Sequence, residues 1–245
     1  MRKFVSSSTT YLALPIRVIY LEGQYKSCMV KLQVALDLTD LELALRVANE
    51  VVRGGADILE VGTPLLKKYG VVAVERVRAR CPDIELLADS KTADAGRVEA
   101  EIMFGAGADM MTVLGLADDA TAVAAREVAE SYGGSVVVDL MNVKSPHSRA
   151  LELWRLGLRD FCFHTGLDAQ RRGRRAPSLL GEVDALKARV GEARVFVAGG
   201  IRLEDLEEVL RHPVDVVIVG GAILRSPDPE AATRSFKREL ERALG

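Results

Sequence analysis

Cysteine and aromatic residues are scarce in this chain. Its 245 residues include three cysteines, Cys28, Cys81 and Cys162, which lie far apart and form no Cys-x-x-Cys pair. This argues against a disulfide framework and a cysteine zinc site, and we expect a reducing, cytoplasmic environment. Aromatic residues make up 5% of the chain, whereas alanine, valine and leucine dominate, a composition typical of helices packed on a parallel sheet.

An excess of charge of one sign and a long apolar run are missing as well. The formal net charge is −2, which provides neither the basic field of a nucleic-acid-binding protein nor a polybasic membrane patch. The apolar run at residues 11–21 is interrupted by Pro15 and Arg17, and it is too short to span a bilayer. The sequence therefore predicts neither a nucleic-acid partner nor a membrane partner.

The first 30 residues differ in composition from the rest. We interpret residues 1–30 as an N-terminal extension of unclear role and residues 31–245 as one catalytic domain. Three explanations of the extension stay open. It is an accessory segment packed on the domain, a stretch upstream of the true start at Met29, or a secretory signal. Arg2 and Lys3 would introduce such a signal, but a small-residue cleavage site is not evident.

Apolar runs rich in valine, isoleucine and leucine alternate with amphipathic helical stretches from Lys31 onward. Runs of this kind are typical of parallel strands that are buried on both faces. The eight predicted strands are residues 32–36, 58–61, 84–88, 110–114, 136–140, 161–164, 195–198 and 216–219.

An aspartate opens each even-numbered strand, and these aspartates recur at intervals of about 50 residues, or two strand–helix units. They are Asp57, Asp109, Asp160 and Asp215. Eight even units predict an α/β fold of the (β/α)₈ TIM-barrel type in a single domain. An open, doubly wound sheet is the alternative.

Charged side chains gather at the carboxyl ends of the predicted strands, where barrels of this type keep their reactive groups. Asp89, Lys91 and Asp94 follow the third strand in the spacing Asp-x-Lys-x-x-Asp. Glu60 lies within the end of the second strand among apolar neighbours, where a carboxylate needs a partner. His164 ends the sixth. Because they share one rim, we predict an active site there.

Each signal is weak when taken alone. Asp37 and Asp139 are individually more typical of helix N-caps, and His164 alone fits a core histidine equally well. Two glycine pairs end the seventh and eighth strands, at Gly199, Gly200, Gly220 and Gly221. They fit either turns or a phosphate site in which bare backbone N–H groups face an anion.

Other polar groups are not assigned to the site. The stretch 171–175 holds four arginines and is interpreted as a solvated loop, although it could lean over the rim and attract an anionic substrate. His147 and His212 lack the spacing of metal ligands, and Trp154 lies on an apolar helical face.

These motifs carry a resemblance to a known family. From about Lys31 to the C terminus the chain resembles the orotidine-5′-phosphate decarboxylase superfamily, and within it the branch of 3-hexulose-6-phosphate synthases. A sister branch, the 3-keto-L-gulonate-6-phosphate decarboxylases, has arginines shortly after the sixth-strand histidine and directly after the eighth-strand glycine. This chain has Thr165 to Leu167 and Gly221 at those places, which favours the synthase branch. The stretches that match are 32–37, 60–65, 88–96, 112–115, 117–119, 164–168, 197–201 and 219–223.

The resemblance implies a reversible aldol condensation of formaldehyde with D-ribulose 5-phosphate through an enediolate. It implies Mg²⁺ or Mn²⁺ as the cofactor, and Glu60 and Asp89 are the expected ligands because hard cations prefer carboxylate oxygens. Lys91 is then a second cation beside the developing charge, and His164 is the candidate proton-transfer base.

The remaining roles also follow from the resemblance. Asp37 would bind substrate hydroxyls or orient Lys91, and the two glycine pairs would hold the phosphate. Asp94 would reach into the site of a partner, so a homodimer is predicted. The alternatives left open are the sister decarboxylase and a barrel that binds a sugar phosphate without catalysis.

Overall fold

Eight parallel strands close into a barrel in the computed structural model, which describes residues 18–21, 24–27 and 29–242. Each strand pairs with its neighbours in the chain, and the last closes the ring against the first. The predicted TIM barrel is thereby confirmed. The strands are β1 Lys31–Leu36, β2 Ile58–Val61, β3 Glu85–Thr92, β4 Met110–Leu114, β5 Ser135–Asp139, β6 Asp160–His164, β7 Arg194–Ala198 and β8 Val216–Val219.

Helices cover the outside of the barrel. In α1, Asp40 caps the N terminus by accepting a hydrogen bond from the Leu43 N–H at 2.8 Å, and an apolar stripe packs on the sheet. The helices are α1 Leu41–Arg53, α2 Thr63–Tyr69, α3 Val72–Arg80, α4 Gly96–Gly105, α5 Asp119–Ser131, α6 Pro146–Arg155, α7 Leu167–Gln170, α8 Leu180–Lys187, α9 Leu206–Val209, α10 Gly221–Leu224 and α11 Pro229–Arg242.

The interior of the barrel changes from apolar to polar along its axis. Side chains two positions apart on a strand face the same side, so an inward residue is followed by another inward residue nearer the carboxyl end. Five strands carry an apolar residue of the inner core and, two positions later, a polar residue that lines a cavity. These pairs are Ile58 and Glu60, Leu87 and Asp89, Met110 and Thr112, Val137 and Asp139, and Cys162 and His164.

The repeating aspartates join strands at the opposite end of the barrel. The carboxylates of Asp57, Asp109 and Asp215 each accept a hydrogen bond of 2.7 Å from a backbone N–H on the preceding strand, at Leu32, Leu86 and Val195. Asp160 instead accepts from the hydroxyl of Ser135 at 2.7 Å. The repeat therefore has a structural role, and it places no charge in the cavity.

β3 continues beyond its predicted end, as far as Thr92. Its pairing with β4 shifts register between Ala88 and Thr92, and Lys91 has a left-handed backbone with φ of 48°. Asp89 and Lys91 thus lie inside an irregular, bulged strand end, where backbone irregularity often aims functional side chains.

The N-terminal segment is described in part. Val18–Leu21 and Gln24–Ser27 pair as an antiparallel hairpin. Residues 1–17, 22, 23, 28 and 243–245 lie outside the described residues, so the role of residues 1–30 and the alternative start at Met29 stay predictions. In the part of the chain that is described, no helix is long and apolar enough to cross a membrane.

Candidate active site

A cavity of about 510 Å³ opens at the carboxyl ends of the strands, and all eight strands contribute to its wall. It brings together nearly all of the residues predicted for the site. Those that line it are Asp37, Glu60, Asp89, Lys91, His164, Gly199, Gly200, Gly220 and Gly221.

Hydrogen bonds connect four charged side chains along one wall of the cavity. The Lys91 ammonium lies 3.0 Å from the Asp89 carboxylate and 2.7 Å from Asp139 Oδ2. The same Asp139 oxygen lies 2.9 Å from Nδ1 of His164. The predicted lysine and histidine are therefore linked through a carboxylate that the sequence reasoning had not placed in the site.

Asp139 is buried and does not cap a helix. Its second oxygen accepts from the backbone N–H of Met141 at 2.9 Å, and the next helix, α6, begins only at Pro146. Burial alone raises the pKa of Asp139, but His164 and Lys91 outweigh burial and hold it well below its usual range. The interpretation as an N-cap was wrong. The alternation of inward and outward side chains along β5 was the signal that could have identified Asp139 as an inward-facing residue.

His164 is oriented by this ionised partner. A carboxylate only accepts hydrogen bonds, so Nδ1 carries the proton and Nε2 keeps its lone pair. Burial lowers the pKa of His164, but the Asp139 carboxylate outweighs burial, and the net shift is upward from the usual 6.5. An imidazole held in this tautomer is suited to accept a proton at Nε2.

Lys91 and Asp89 are fixed from several sides. Burial alone lowers the pKa of Lys91, but the carboxylates of Asp139 and Asp89 outweigh burial. The net shift of the pKa is upward, so the ammonium stays charged. The hydroxyls of Thr63 and Thr112 donate to the Asp89 carboxylate at 2.6 and 2.8 Å. Threonines on two other elements thus hold Asp89 in place.

Glu60 lies on β2, next to the strand that carries Asp89, and its side chain is buried at the cavity wall. Gln33 Nε2 donates to its Oε2 at 2.6 Å. Burial, and then the charges of Asp89 and Asp37, raise the pKa of Glu60 well above its usual value. A carboxylate in this setting is stabilised by any cation that enters the cavity.

Asp37 stands at the more open edge of the cavity. Burial of its carboxyl group and the nearby charge of Asp89 raise its pKa. The Lys91 ammonium bonds to Asp89 and Asp139, so the expectation that Asp37 orients Lys91 finds no hydrogen bond among the described residues. Its side chain lines the cavity, and a role in binding substrate hydroxyls stays a prediction.

The two glycine pairs lie side by side, because β7 and β8 are neighbours. Gly199 and Gly200 have left-handed backbones with φ of 114° and 69°, which explains glycine there on conformational grounds. Gly220 and Gly221 have no left-handed backbone. All four border the cavity, whereas their binding of a phosphate group stays a prediction.

Comparison with known proteins assigns residues 30–236 to the Orotidine 5'-phosphate decarboxylase / HUMPS family. The chain is 39% identical to the 3-hexulose-6-phosphate synthase of Bacillus subtilis, over 86% of this chain and 98% of that protein. The chain belongs to this family.

Two solved structures of similar proteins have nearly the same fold. A crystal structure of 3-hexulose-6-phosphate synthase superposes with a TM-score of 0.80 at 39% identity and covers 88% of this chain and 100% of that chain. A crystal structure of KGPDC, the 3-keto-L-gulonate-6-phosphate decarboxylase, from Streptococcus mutans superposes with a TM-score of 0.82 at 32% identity. It covers 88% of this chain and 99% of that chain. Both branches of the orotidine 5′-phosphate decarboxylase family considered above are therefore structural neighbours.

In this family member the basic stretch 171–175 is not entirely a solvated loop. The Arg175 guanidinium donates to the carboxylate of Asp205 and to the carbonyl of Gly200, and the residue lines the cavity. The interpretation fails for Arg175 because its partner, Asp205, is distant in the sequence. Arg171 and Arg172 are exposed, as predicted.

Asp94 is the predicted site residue that the barrel does not bring into its own cavity. It lies exposed just beyond β3, and its carboxylate accepts from the backbone N–H of Ala95 at 2.7 Å. The predicted catalytic role of Asp94 therefore finds no support within the cavity of a single chain.

Proposed function

We propose that the chain catalyses the reversible aldol condensation of formaldehyde with D-ribulose 5-phosphate, giving D-arabino-hex-3-ulose 6-phosphate. The observation that carries this proposal is the hydrogen-bonded row of Asp89, Lys91, Asp139 and His164. It places a proton acceptor and a cation on one wall of a sugar-sized cavity. Sequence identity of 39% with relatives named 3-hexulose-6-phosphate synthase supports the choice of reaction.

The chemistry begins at C1 of the bound pentulose phosphate. His164 Nε2 takes a proton from C1, and the electron pair of the broken C–H bond moves towards the C2 oxygen, giving an enediolate. C1 then attacks the carbon of formaldehyde and forms the new carbon–carbon bond. The electron pair on the C2 oxygen re-forms the ketone as this bond is made, and the resulting alkoxide on the former formaldehyde oxygen takes the proton back from the His164 imidazolium, which returns to its neutral form. The reverse reaction retraces these steps.

Lys91 and Asp139 assist this transfer without changing their own protonation. The ammonium of Lys91 is aimed into the cavity beside the charge that develops on the substrate oxygens. Asp139 stabilises the imidazolium that His164 becomes after it accepts the proton. Because hydrogen bonds already hold both side chains in place, we expect little reorganisation during the step.

We also propose a Mg²⁺ or Mn²⁺ ion held by Glu60 and Asp89. Four carboxylates face one lysine and one histidine in this cavity, and two of them, Glu60 and Asp37, have pKa values raised by burial and by their neighbours. This surplus of negative charge fits a divalent cation. A bound cation supplies polarisation of the substrate ketone and stabilisation of the negative charge that follows proton removal.

Two carboxylate ligands, from Glu60 and Asp89, agree with the usual coordination of Mg²⁺ in proteins. Among the described residues, no three histidine, cysteine or acidic groups converge into a ready-made metal centre. The other ligands would therefore be substrate oxygens and water, which is how Mg²⁺ is commonly bound beside one or two carboxylates.

A homodimer completes the proposal. Helix α4 follows Asp94 directly and exposes two large apolar side chains, Val98 at 56% and Ile102 at 44%. Exposed apolar side chains next to the exposed carboxylate of Asp94 are typical of a surface that a second copy of the chain covers. In that arrangement Asp94 of one protomer would enter the cavity of the other.

A coupled assay with two substrates tests the reaction. We expect formaldehyde-dependent consumption of D-ribulose 5-phosphate that EDTA abolishes. Decarboxylation of 3-keto-L-gulonate 6-phosphate is the second candidate, because KGPDC superposes so closely. Faster release of CO₂ from that acid than aldol turnover would replace our proposal. Thermal stabilisation by D-ribulose 5-phosphate without turnover of either substrate would identify a binding protein.

A further inference from the structure

Three arginines border the cavity near the glycine pairs, and they differ in their partners. Arg175 donates to the carboxylate of Asp205, and Arg202 lies 3.4 Å from that of Glu204. Within residues 29–242, Arg225 has neither a side-chain hydrogen bond nor an ion pair. A guanidinium has five N–H donors and no acceptor, so Arg225 keeps its binding capacity for a ligand.

The side chain of Arg225 occupies the space that a residue other than glycine would fill at position 221. A Cβ on Gly221 would overlap Nη1 of Arg225 and stand 2.8 Å from Cζ. Gly221 is the first residue of α10, a helical conformation that any residue adopts. Glycine is therefore useful at this position because it leaves room for the guanidinium.

This packing directs Arg225 towards the end of the cavity bordered by the glycine turns. The side chain begins just after α10, and its guanidinium lies back against the start of that helix. Gly221 itself lines the cavity beside Gly220. The positive charge is thus held next to the backbone that ends β8, and among the described residues no carboxylate lies within ion-pair distance of it.

We propose that Arg225 binds the phosphate group of the substrate, with Gly221 serving as its seat. The ligand class is a sugar phosphate monoester, and the inference rests on the proposed function for the identity of the sugar. A planar guanidinium binds two phosphate oxygens at once, which anchors one end of the substrate while the other end meets His164 and Lys91. Arg175 and Arg202 already have carboxylate partners and contribute less.

Calorimetry on the whole protein tests this proposal directly. Dissociation constants are measured for D-ribulose 5-phosphate, inorganic phosphate and unphosphorylated D-ribulose. We expect Arg225→Ala to weaken binding of both phosphate ligands by roughly 10- to 100-fold, as is usual for a lost charge-assisted contact. Binding of D-ribulose should not change. Arg225→Lys should fall between, because lysine keeps the charge and loses the bidentate geometry.

Arg172→Ala is the matched control. It removes one positive charge from an exposed residue that does not line the cavity, so it should leave all three dissociation constants within about twofold, in line with screening of distant surface charge. Equal phosphate affinity in the parent and in Arg225→Ala would overturn the proposal. An equal loss of phosphate affinity in Arg172→Ala would overturn it as well, because the effect would then come from the general electrostatic field of the protein.

A double-mutant cycle tests whether Gly221 acts by leaving space for the Arg225 guanidinium. Gly221→Ala should displace the Arg225 guanidinium and weaken phosphate binding in the parent. In the Arg225→Ala background the same change should have a much smaller effect, because the two residues then act as one unit. Full additivity would refute the role of Gly221. These constants need no turnover, so a failure of the aldol assay would leave this test standing and would reject only the reaction.

Discussion

The ammonium of Lys91 and the carboxylate of Asp139 lie 2.7 Å apart, although strand β4 separates the strands that carry them. Between them, Thr112 on β4 accepts from the Lys91 backbone N–H at 2.9 Å. Asp139 also binds His164, so one carboxylate serves both the cation and the base. We therefore expect the proton affinity of His164 to depend on Asp139.

Asp139→Asn should move the acidic limb of the pH–rate profile to lower pH. His164 acts in its neutral form, so kcat/KM rises as pH rises through its pKa, which Asp139 raises above 6.5. Removal of that carboxylate lowers the pKa and shifts the limb downward, while kcat falls by about 10-fold or more. Glu182→Gln is the control, because Glu182 pairs with His147 outside the cavity. An unshifted limb in Asp139→Asn would contradict the pairing.

His164→Ala should abolish proton removal at C1. We expect kcat to fall by about 10²- to 10⁴-fold, the usual contribution of a general base. Exchange of the C1 proton of D-ribulose 5-phosphate with D₂O, followed by NMR without formaldehyde, should fall in parallel. His212→Ala removes a histidine that pairs with Asp184 and should leave exchange unchanged. Persistent exchange in His164→Ala would mean that another group is the base.

Glu60→Gln and Asp89→Asn should each weaken binding of Mn²⁺. Each loses one anionic oxygen ligand, and we expect the dissociation constant measured by calorimetry to rise by about 10-fold or more. EDTA should inactivate the parent, and added Mg²⁺ should restore it. Glu127→Gln changes an exposed glutamate that pairs with Arg97 and should bind Mn²⁺ like the parent. The assignment of ligands fails if either cavity variant binds Mn²⁺ normally.

Two inactive variants should complement each other if Asp94 acts across a dimer. In a hybrid of Asp94→Asn and His164→Ala protomers, one site has a native His164 and receives a native Asp94 from its partner. At random 1:1 assembly, roughly a quarter of the parental activity should return. Mixing the separately folded homodimers without exchange gives the baseline. If coassembly yields no recovery, Asp94 acts within its own chain, whereas an Asp94→Asn homodimer that is itself active would show that Asp94 has no catalytic role.

Gly96→Ala should destabilise the protein, because the close approach of α4 and α5 leaves no space there. A Cβ on Gly96 would stand 2.9 Å from the carbonyl carbon of Thr121, and overpacking of this kind costs about 1–3 kcal/mol. Gly105→Ala on the same helix meets no atom within 4 Å and should be neutral or stabilising by up to about 1 kcal/mol. Urea unfolding measures both, and equal stabilities would contradict the packing argument.

Periodicity was sufficient to predict the barrel and most of the site. β2, β4 and β8 begin and end at the predicted residues, because a strand buried on both faces has an apolar run with sharp limits. The end of β3 was not predictable in the same way. Its last residues are polar and its pairing with β4 is irregular, so hydrophobicity does not mark the boundary.

The residues that sequence reasoning missed depend on geometry between distant elements. Asp139 looked like a cap because its neighbours, Lys91 and His164, come from other strands. Arg175 looked solvated because Asp205 lies 30 positions away. Arg225 gave no signal, since its orientation depends on the space beside Gly221. The local pattern predicts where most of the strands end, and it does not predict which side chains meet beyond those ends.

The alternation of apolar and polar residues inside the barrel has a consequence for folding. If β3 or β5 slipped by one residue, Asp89 or Asp139 would turn into the packed shell beneath the helices, and apolar side chains would enter the cavity. Unpaired carboxylates in that shell are strongly unfavourable. The groups that we assign to proton transfer therefore also help to specify the strand register, because a barrel closed one residue out of step would be much less stable.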